Sequence, residues 1–405
     1  MFALNDGPRA TKTDLRAAFL LSALIKLGLL AALYLVTGGA EMAEDWDLHI
    51  EMGSDPVGMH AGQMPHYRQF PPMIGYFLAP GVWLVDAFGR FIGLRLWFLT
   101  FDLIAFGLVL MALPAVSRRA LALIFVMWTF VPLVPFAGFV MIQDEMIGLV
   151  FAAAALLALS RKNETLAIAA TVWGVAAGKI FLIFAFPGFG FSWNRLARIG
   201  VIGAGVAAIA YGPFLTGMTA VEVFSPDAVP FGVSYPTLLD KLGLIIPDKF
   251  TVTGLSFVIA AGLLVLGHVW TLKAYDVDPL SYYAASFAIF QLLFCTLFYH
   301  ITQEYFILAA PAITLFYARR SELHKAFVMF VLLSWNWVTN VFYGIEVASE
   351  RPHVPQLFKT LNAIAPLDPV VMHTAALGIG VVFNAAVLVW MIRDFRIHCR
   401  AIVGR

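Results

Sequence analysis

The chain has 405 residues, of which 61% are hydrophobic and only 13% charged, and its mean hydropathy is +0.85. A soluble domain of this size has no use for so much apolar surface, so the composition excludes a water-soluble enzyme and points to an all-α integral membrane protein with many spans. A formal net charge of +1, scattered in small clusters, excludes a nucleic-acid partner; two distant cysteines, Cys295 and Cys399, exclude a disulfide framework or a thiolate metal site.

A bilayer core takes about 20 apolar residues per helix. The first such run, residues 17–38, follows a basic lead, is long, and has no small-residue cleavage site after it, so it reads as a retained span. Further runs centre on residues 95–115, 120–140, 146–160, 164–178, 180–192, 200–218, 253–272, 280–299, 305–318, 326–345 and 370–392, about 12 crossings in all by the same measure. Residues 164–192 read as one kinked helix or two short ones. Residues 72–88 read as lying along the membrane face. Their prolines and the mid-segment "APG" disfavour a straight spanning helix, and a crossing there would put Arg118 and Arg119 on the side opposite the other basic turns.

Those turns hold Arg161 and Lys162, Arg195 and Arg198, Lys273, then Arg319, Arg320 and Lys325, while the tail holds Arg393, Arg396, Arg400 and Arg405. The Lys/Arg asymmetry therefore predicts that both termini are cytosolic and that the longer, acid-rich connections lie outside. With no internal repeat and no soluble domain, residues 1–405 read as one integrated bundle whose first extracytoplasmic loop covers about 39–93.

Polar residues gather in the outward connections. In the first loop Asp45 and Asp47 flank Trp46, and Tyr67 and Arg68 follow. Glu41, Glu44, His49, Glu51, Asp55, His60 and His66 crowd the same stretch. A mere connection has no need of so many ionisable groups at the membrane surface, where each must be solvated or paired; the functional reading is a carboxylate held at the boundary as a general base, and a solvated loop helix whose acids follow charge bias is the alternative. In "MIQDEM", Asp144 and Glu145 stand at the outer end of the third span. Neighbouring helix positions point to different faces, so at most one of the two is expected to face a shared cavity, and ordinary helix-end charge is the alternative. Lys179 in "VAAGKIFLIFAFPGF" is a lone cation in a long apolar stretch; it either snorkels or meets an anion, for which a substrate phosphate would serve. Small residues before it and Pro187 after it predict a helix break there. Tyr299, His300, Gln303, Glu304 and Tyr305 fill a short outward turn. Its aromatics suit an interfacial belt, whereas His300 and Gln303 suit hydrogen bonds to a phosphate or a sugar. The last long outward loop carries Arg351 and His353, read as anion contacts or as part of a spacer.

In their order along the chain, these motifs resemble the GT-C superfamily of integral-membrane glycosyltransferases that use polyprenol-phosphate sugars, and most of all the catalytic subunit of GPI mannosyltransferase I and its bacterial relatives. That family's first-loop Asp-x-Asp is matched by Asp45-Trp46-Asp47, its Tyr-x-x-x-Pro by "YRQFPP", its His-Leu-Lys-Ile-Tyr lysine by Lys179 of "AGKIF", and its Ser-Gln-Tyr-Phe block by "TQEYF". Departures fall at Ala177, Phe181 and Glu304.

The resemblance implies a GT-C-like bundle in a bacterial cytoplasmic (inner) membrane, its active site extracytoplasmic. The implied reaction is inverting transfer of a hexose, mannose favoured, from a polyprenyl-phosphate sugar to a lipid-linked or glycan acceptor hydroxyl, with Asp45 or Asp47 as base. Lys179, His300 and Arg351 would meet the leaving phosphate, with Tyr67, Arg68, Asp144, Tyr299 and Gln303 around the substrates. A monophosphate donor requires no cofactor; a divalent metal on Asp45 and Asp47 is the lesser alternative, and an accessory subunit is compatible with the pattern. The rival reading is a transporter or flippase of lipid-linked sugars. Against it stand the lack of an internal repeat and the placing of polar residues at one membrane face instead of mid-depth.

Overall fold

The computed structural model describes residues 7–39, 46–64, 70–215, 231–244, 258–262, 272–298, 300–301, 303–348, 356–364 and 368–403. The architecture is helical. In chain order the helices are α1 (Lys12–Thr37), α2 (Trp46–Ser54), α3 (Pro56–His60), α4 (Ile74–Phe88), α5 (Arg90–Ala112), α6 (Arg118–Phe130), α7 (Glu145–Ser160) and α8 (Glu164–Ala177). There follow α9 (Trp193–Leu215), α10 (Tyr235–Lys241), α11 (Leu272–Val277), α12 (Pro279–Leu297), α13 (Ala310–Arg319), α14 (Leu323–Val347), α15 (Gln356–Ala363) and α16 (Pro369–Val403). A two-residue parallel pairing joins Phe231–Gly232 to His300–Ile301.

Among the described residues, six helices are long and apolar enough to cross a membrane: α1, α5, α9, α12, α14 and α16, while α4, α7 and α8 are apolar but shorter. The other expected spans are interrupted. Residues 120–140 divide into α6 and a π-helical turn, Phe136–Val140, because Pro132 and Pro135 between them cannot carry the helical hydrogen bonds. Within residues 180–192, Ile180–Phe189 form a ten-residue 3₁₀ segment. Residues 305–318 begin as a 3₁₀ segment, Gln303–Ala309, before α13. Of the run 253–272, most lies outside the described residues.

The core is helix on helix. Helix α12 is the axis: residues 280–296 are all buried, as expected of a helix that is apolar around its whole circumference. Helix α1 is its opposite. It buries only Ser22, Lys26 and Leu30, one stripe at helical spacing, and exposes Leu20, Leu24, Leu35 and Val36 on the side left for lipid. Polar contacts hold that stripe in place: Thr129 Oγ1 donates to Ser22 Oγ at 2.9 Å, and Lys26 Nζ donates to Asp102 Oδ2 at 2.6 Å with both side chains fully buried.

Ion pairs mark one end of the bundle as basic. There Arg118 meets Asp14 at 3.1 Å, Arg195 meets Glu164 and Asp276 at 2.8 and 2.7 Å, Arg319 meets Asp278 at 3.0 Å, and Lys325 meets Asp394 at 2.7 Å. Helix α4 stays at the opposite end. Its entry is tied to the last residues of α8 (Met73 N–H to Ala176 O, 3.4 Å), and Gly89 joins its exit to the first residue of α5. Helix α4 runs through Pro80 and, at 15 residues, is not among the six helices long enough to span. Pro80 leaves the Tyr76 carbonyl one turn back without its helical donor; the Trp97 indole N–H donates to the neighbouring Phe77 O at 2.6 Å and ties this turn to α5.

Candidate functional site

The end opposite the basic turns is organised by a backbone contact. Helices α7 and α8 approach so closely at Gly148 and Gly178 that a Cβ on Gly178 would lie 2.7 Å from Gly148 Cα; side chains at this point would hold the two helices apart. Helix α8 ends at Ala177, and Lys179 is extended, with φ −147° and ψ 132°. The break falls where the small residues place it, and it delivers the lysine to the first turn of α7.

There Lys179 Nζ donates to Asp144 Oδ1 and Oδ2 at 2.9 and 3.0 Å and lies 2.8 Å from Glu145 Oε1. Asp144 and Glu145 are both buried, at 3% and 2% exposure. The expectation that only one of them faces a shared site is therefore corrected. Helix α7 begins at Glu145 with Asp144 as its cap residue, so the rule of divergent helical faces does not apply, and both carboxylates converge on one ammonium. The counter-charge sought for Lys179 in a substrate phosphate is supplied here by the protein itself.

Two further segments reach this cluster. Glu304, buried in the 3₁₀ segment, is near enough to Glu145 for their charges to interact. Tyr305 and Phe70 place their rings 5.6 and 5.4 Å from Lys179 Nζ, within cation–π range. Among the described residues the cluster thus sets three carboxylates against one ammonium. Glu145 Oε2 is buried and accepts no hydrogen bond from the described residues, which leaves a carboxylate oxygen free to take a proton. The backbone leading into the cluster is strained. Ile142, β-branched, has φ +52°, a conformation that costs of order 1–3 kcal/mol and persists only where its surroundings over-determine it.

Helix α2 carries the first-loop motif. Asp47 lies in its first turn, its side chain 82% exposed and ion-paired with Arg90, the first residue of α5. Trp46, buried, covers the Arg95 guanidinium at 4.5 Å. Arg95, also fully buried, lies 3.9 Å from the Phe91 ring and donates from Nη2 to Val140 O at 3.2 Å. It joins α2, α5 and the π-helical turn. Sequence reasoning passed over Arg95, Lys26 and Asp102, although each is an isolated charge inside an apolar run, the same signal that singled out Lys179.

Asp45, Tyr67, Arg68, Tyr299 and Arg351 lie outside the described residues. Phe70, in contact range of Lys179, follows closely on Tyr67 and Arg68 in the chain. His300 pairs through its backbone with Phe231, and Gln303 opens the segment that carries Glu304 and Tyr305. A second polar group at this end links α10, α14 and α16, where Lys241 Nζ and His373 Nδ1 both meet the Glu346 carboxylate. Among the described residues no three His, Cys, Asp or Glu side chains are grouped as a metal site.

No family model, no curated protein and no solved structure matches the chain.

Proposed function

We propose that the chain is a membrane glycosyltransferase of GT-C type. It moves a hexose, mannose favoured, from a polyprenyl-phosphate sugar to a hydroxyl of a lipid-linked or glycan acceptor, on the extracytoplasmic face of a bacterial cytoplasmic membrane. The observation that carries this reading is the meeting of Asp144–Glu145, Lys179, Glu304–Tyr305 and the first-loop Phe70 at one end of a helical bundle. Those stretches are far apart in sequence and are the ones whose order resembles the superfamily. The basic turns at the other end support an outside position for the cluster by the Lys/Arg rule, where a lipid-anchored donor and a hydroxyl acceptor would meet.

In this reading a first-loop aspartate takes the proton of the acceptor hydroxyl. The acceptor oxygen attacks the anomeric carbon, the bond from that carbon to the phosphate oxygen breaks, the phosphate leaves with the electron pair, and the configuration inverts. Asp45 is preferred, because the Asp47 carboxylate is engaged by Arg90; Glu145, with its open oxygen, is the base if neither first-loop residue is. Lys179 keeps the carboxylate pair in place and, by exchanging one partner for the donor phosphate, offsets the charge that gathers on the leaving group. Tyr67, Arg68, Tyr299, His300, Gln303 and Arg351 complete the donor site.

The test is transfer of radiolabelled sugar from individual polyprenyl-phosphate hexoses by the purified protein in detergent, where a transporter has no barrier to work across. Asp45→Asn is expected to lower turnover about 10²- to 10⁴-fold with donor binding intact, and Lys179→Ala to weaken the donor more than the acceptor. Normal turnover in both Asp45→Asn and Asp47→Asn moves the base to Glu145 or Asp144. No transfer with any hexose, together with movement of a lipid-linked sugar across sealed vesicles, overturns the assignment in favour of a flippase.

A further inference from the structure

Helix α16 is the longest among the described residues, running from Pro369 to Val403, and its outward face changes character along its length. Val371, Ala375, Ile379, Val382, Ala386 and Val389 are exposed in succession at helical spacing. From Val371 to Val389 this stripe rises about 27 Å at about 1.5 Å per residue, close to the roughly 30 Å thickness of a hydrocarbon core. The same stripe then continues as Arg393, Arg396 and Arg400, all exposed. The opposite face of this last stretch is committed to the bundle: Asp394 accepts from Lys325 Nζ at 2.7 Å and from Tyr317 OH at 3.1 Å, and Phe395 packs against Tyr282. Arg393 Nε lies 3.5 Å from Asp394 Oδ1, the oxygen that Lys325 and Tyr317 leave open. Arg396 and Arg400 have no ion pair or hydrogen bond among the described residues.

Between these side chains lies a groove of about 330 Å³, lined by Val389, Ile392, Arg393, Arg396, Ile397 and Arg400. Its lining combines three aliphatic side chains with three guanidinium groups. The geometry points to a site for one anionic phospholipid, its phosphate held by Arg396 and Arg400 with Arg393 beside them and its acyl chains lying along the Val382–Val389 stripe. Charge complementarity selects the headgroup, and the level of the groove, one hydrocarbon thickness from the far end of the stripe, selects a lipid over a soluble anion. Clusters of arginine just beyond an apolar span attract anionic lipid at about fivefold in affinity per residue. The inference does not depend on the transfer reaction, since it concerns the other end of the bundle.

The experiment is native mass spectrometry of the delipidated full chain in a neutral detergent, titrated with phosphatidylglycerol, phosphatidylcholine or inorganic phosphate. Phosphatidylglycerol is expected to bind at least tenfold more tightly than phosphatidylcholine. Arg396→Gln/Arg400→Gln is expected to lose about 30-fold of that affinity, and Arg396→Lys/Arg400→Lys, which keeps the charge, to retain most of it. Equal binding of the two lipids, full retention by the glutamine variant, or displacement of phosphatidylglycerol by equimolar inorganic phosphate would each overturn the assignment. The comparison of lipids uses the unaltered protein and so stands even where a variant does not fold.

Discussion

The Lys26–Asp102 pair can be tested by removing one charge at a time. At 2.6 Å and an effective dielectric constant of about 20, two unit charges attract by roughly 6 kcal/mol. Withdrawing both from water costs several kcal/mol per ion. The two effects nearly cancel, so the pair as a whole adds little to stability, whereas either charge alone has its desolvation cost and no compensation. Asp102→Leu or Lys26→Met is therefore expected to destabilise the protein by about 3–5 kcal/mol, while Lys26→Met/Asp102→Leu returns to within about 1 kcal/mol of the original chain. Helix α1 amplifies the readout, because the pair supplies much of what attaches it: only Ser22 and Leu30 are buried with Lys26. Reversible unfolding of the purified protein in mixed micelles, with increasing denaturing detergent, gives all four corners of the cycle. The reasoning fails if either single variant loses less than about 1 kcal/mol, or if the double variant is as unstable as the worse single one.

Three more outcomes follow from the geometry. A cysteine placed at Asp47, where the side chain is 82% exposed, should react with an impermeant maleimide on intact cells, and one at Arg119 only after permeabilisation; the native Cys295 and Cys399 are buried and give little background. The reverse pattern would invert the assigned orientation. Gly178→Ala should lower the melting temperature measured by size-exclusion chromatography, since its methyl would sit 2.7 Å from Gly148 Cα and overpacking of this kind costs about 1–3 kcal/mol; an unchanged transition would mean the α7–α8 contact is loose. Asp278 is pushed up by burial but held well below the usual carboxylate range by His398, Ser281 and Arg319. Its contribution is thus present at neutral pH and down to the ordinary carboxylate value, and is lost as pH falls further through the depressed one. Asp278→Asn should flatten the acid limb of the stability profile, and a profile as steep as the original would remove Asp278 from it.

The helices legible in the sequence are those whose apolar runs are unbroken: α1, α5, α9, α12, α14 and α16, together with the shorter α7 and α8, expected at 146–160 and 164–178 and found at Glu145–Ser160 and Glu164–Ala177. Periodicity and length suffice for these, because in lipid a helix must satisfy its own backbone groups. Where proline intervenes, local rules pull both ways: Pro132 and Pro135 follow the end of α6, yet Pro80 sits within α4, in a turn that Trp97 ties to another helix through Phe77 O. The site was partly legible. Lys179, Asp144 and Glu145 announce themselves as charges in apolar surroundings, but that they neutralise one another depends on a glycine contact between two helices and on where α7 starts. Arg95 gives no sign of its position between Trp46 and the Val140 carbonyl, since a single cation in an apolar run does not say which face of the helix it occupies.

The distance in sequence between Lys26 and Asp102 also bears on how the chain enters the membrane. The two are 76 residues apart, and a ribosome adds about 5–20 residues per second, so the lysine precedes its partner by roughly 4–15 s. During that interval the ammonium sits near the middle of α1, where a lone lysine raises the insertion free energy by about 2.5–3.5 kcal/mol. Around it "FLLSALIKLGLLAALYLV" supplies a dense series of leucines, each lowering that free energy by about 0.3–0.6 kcal/mol. The leucines outnumber what a helix so lightly packed needs for folding. They fit a segment that must remain in the bilayer by its own hydrophobicity, its lysine reaching toward the surface, until α5 emerges and the charge can turn inward.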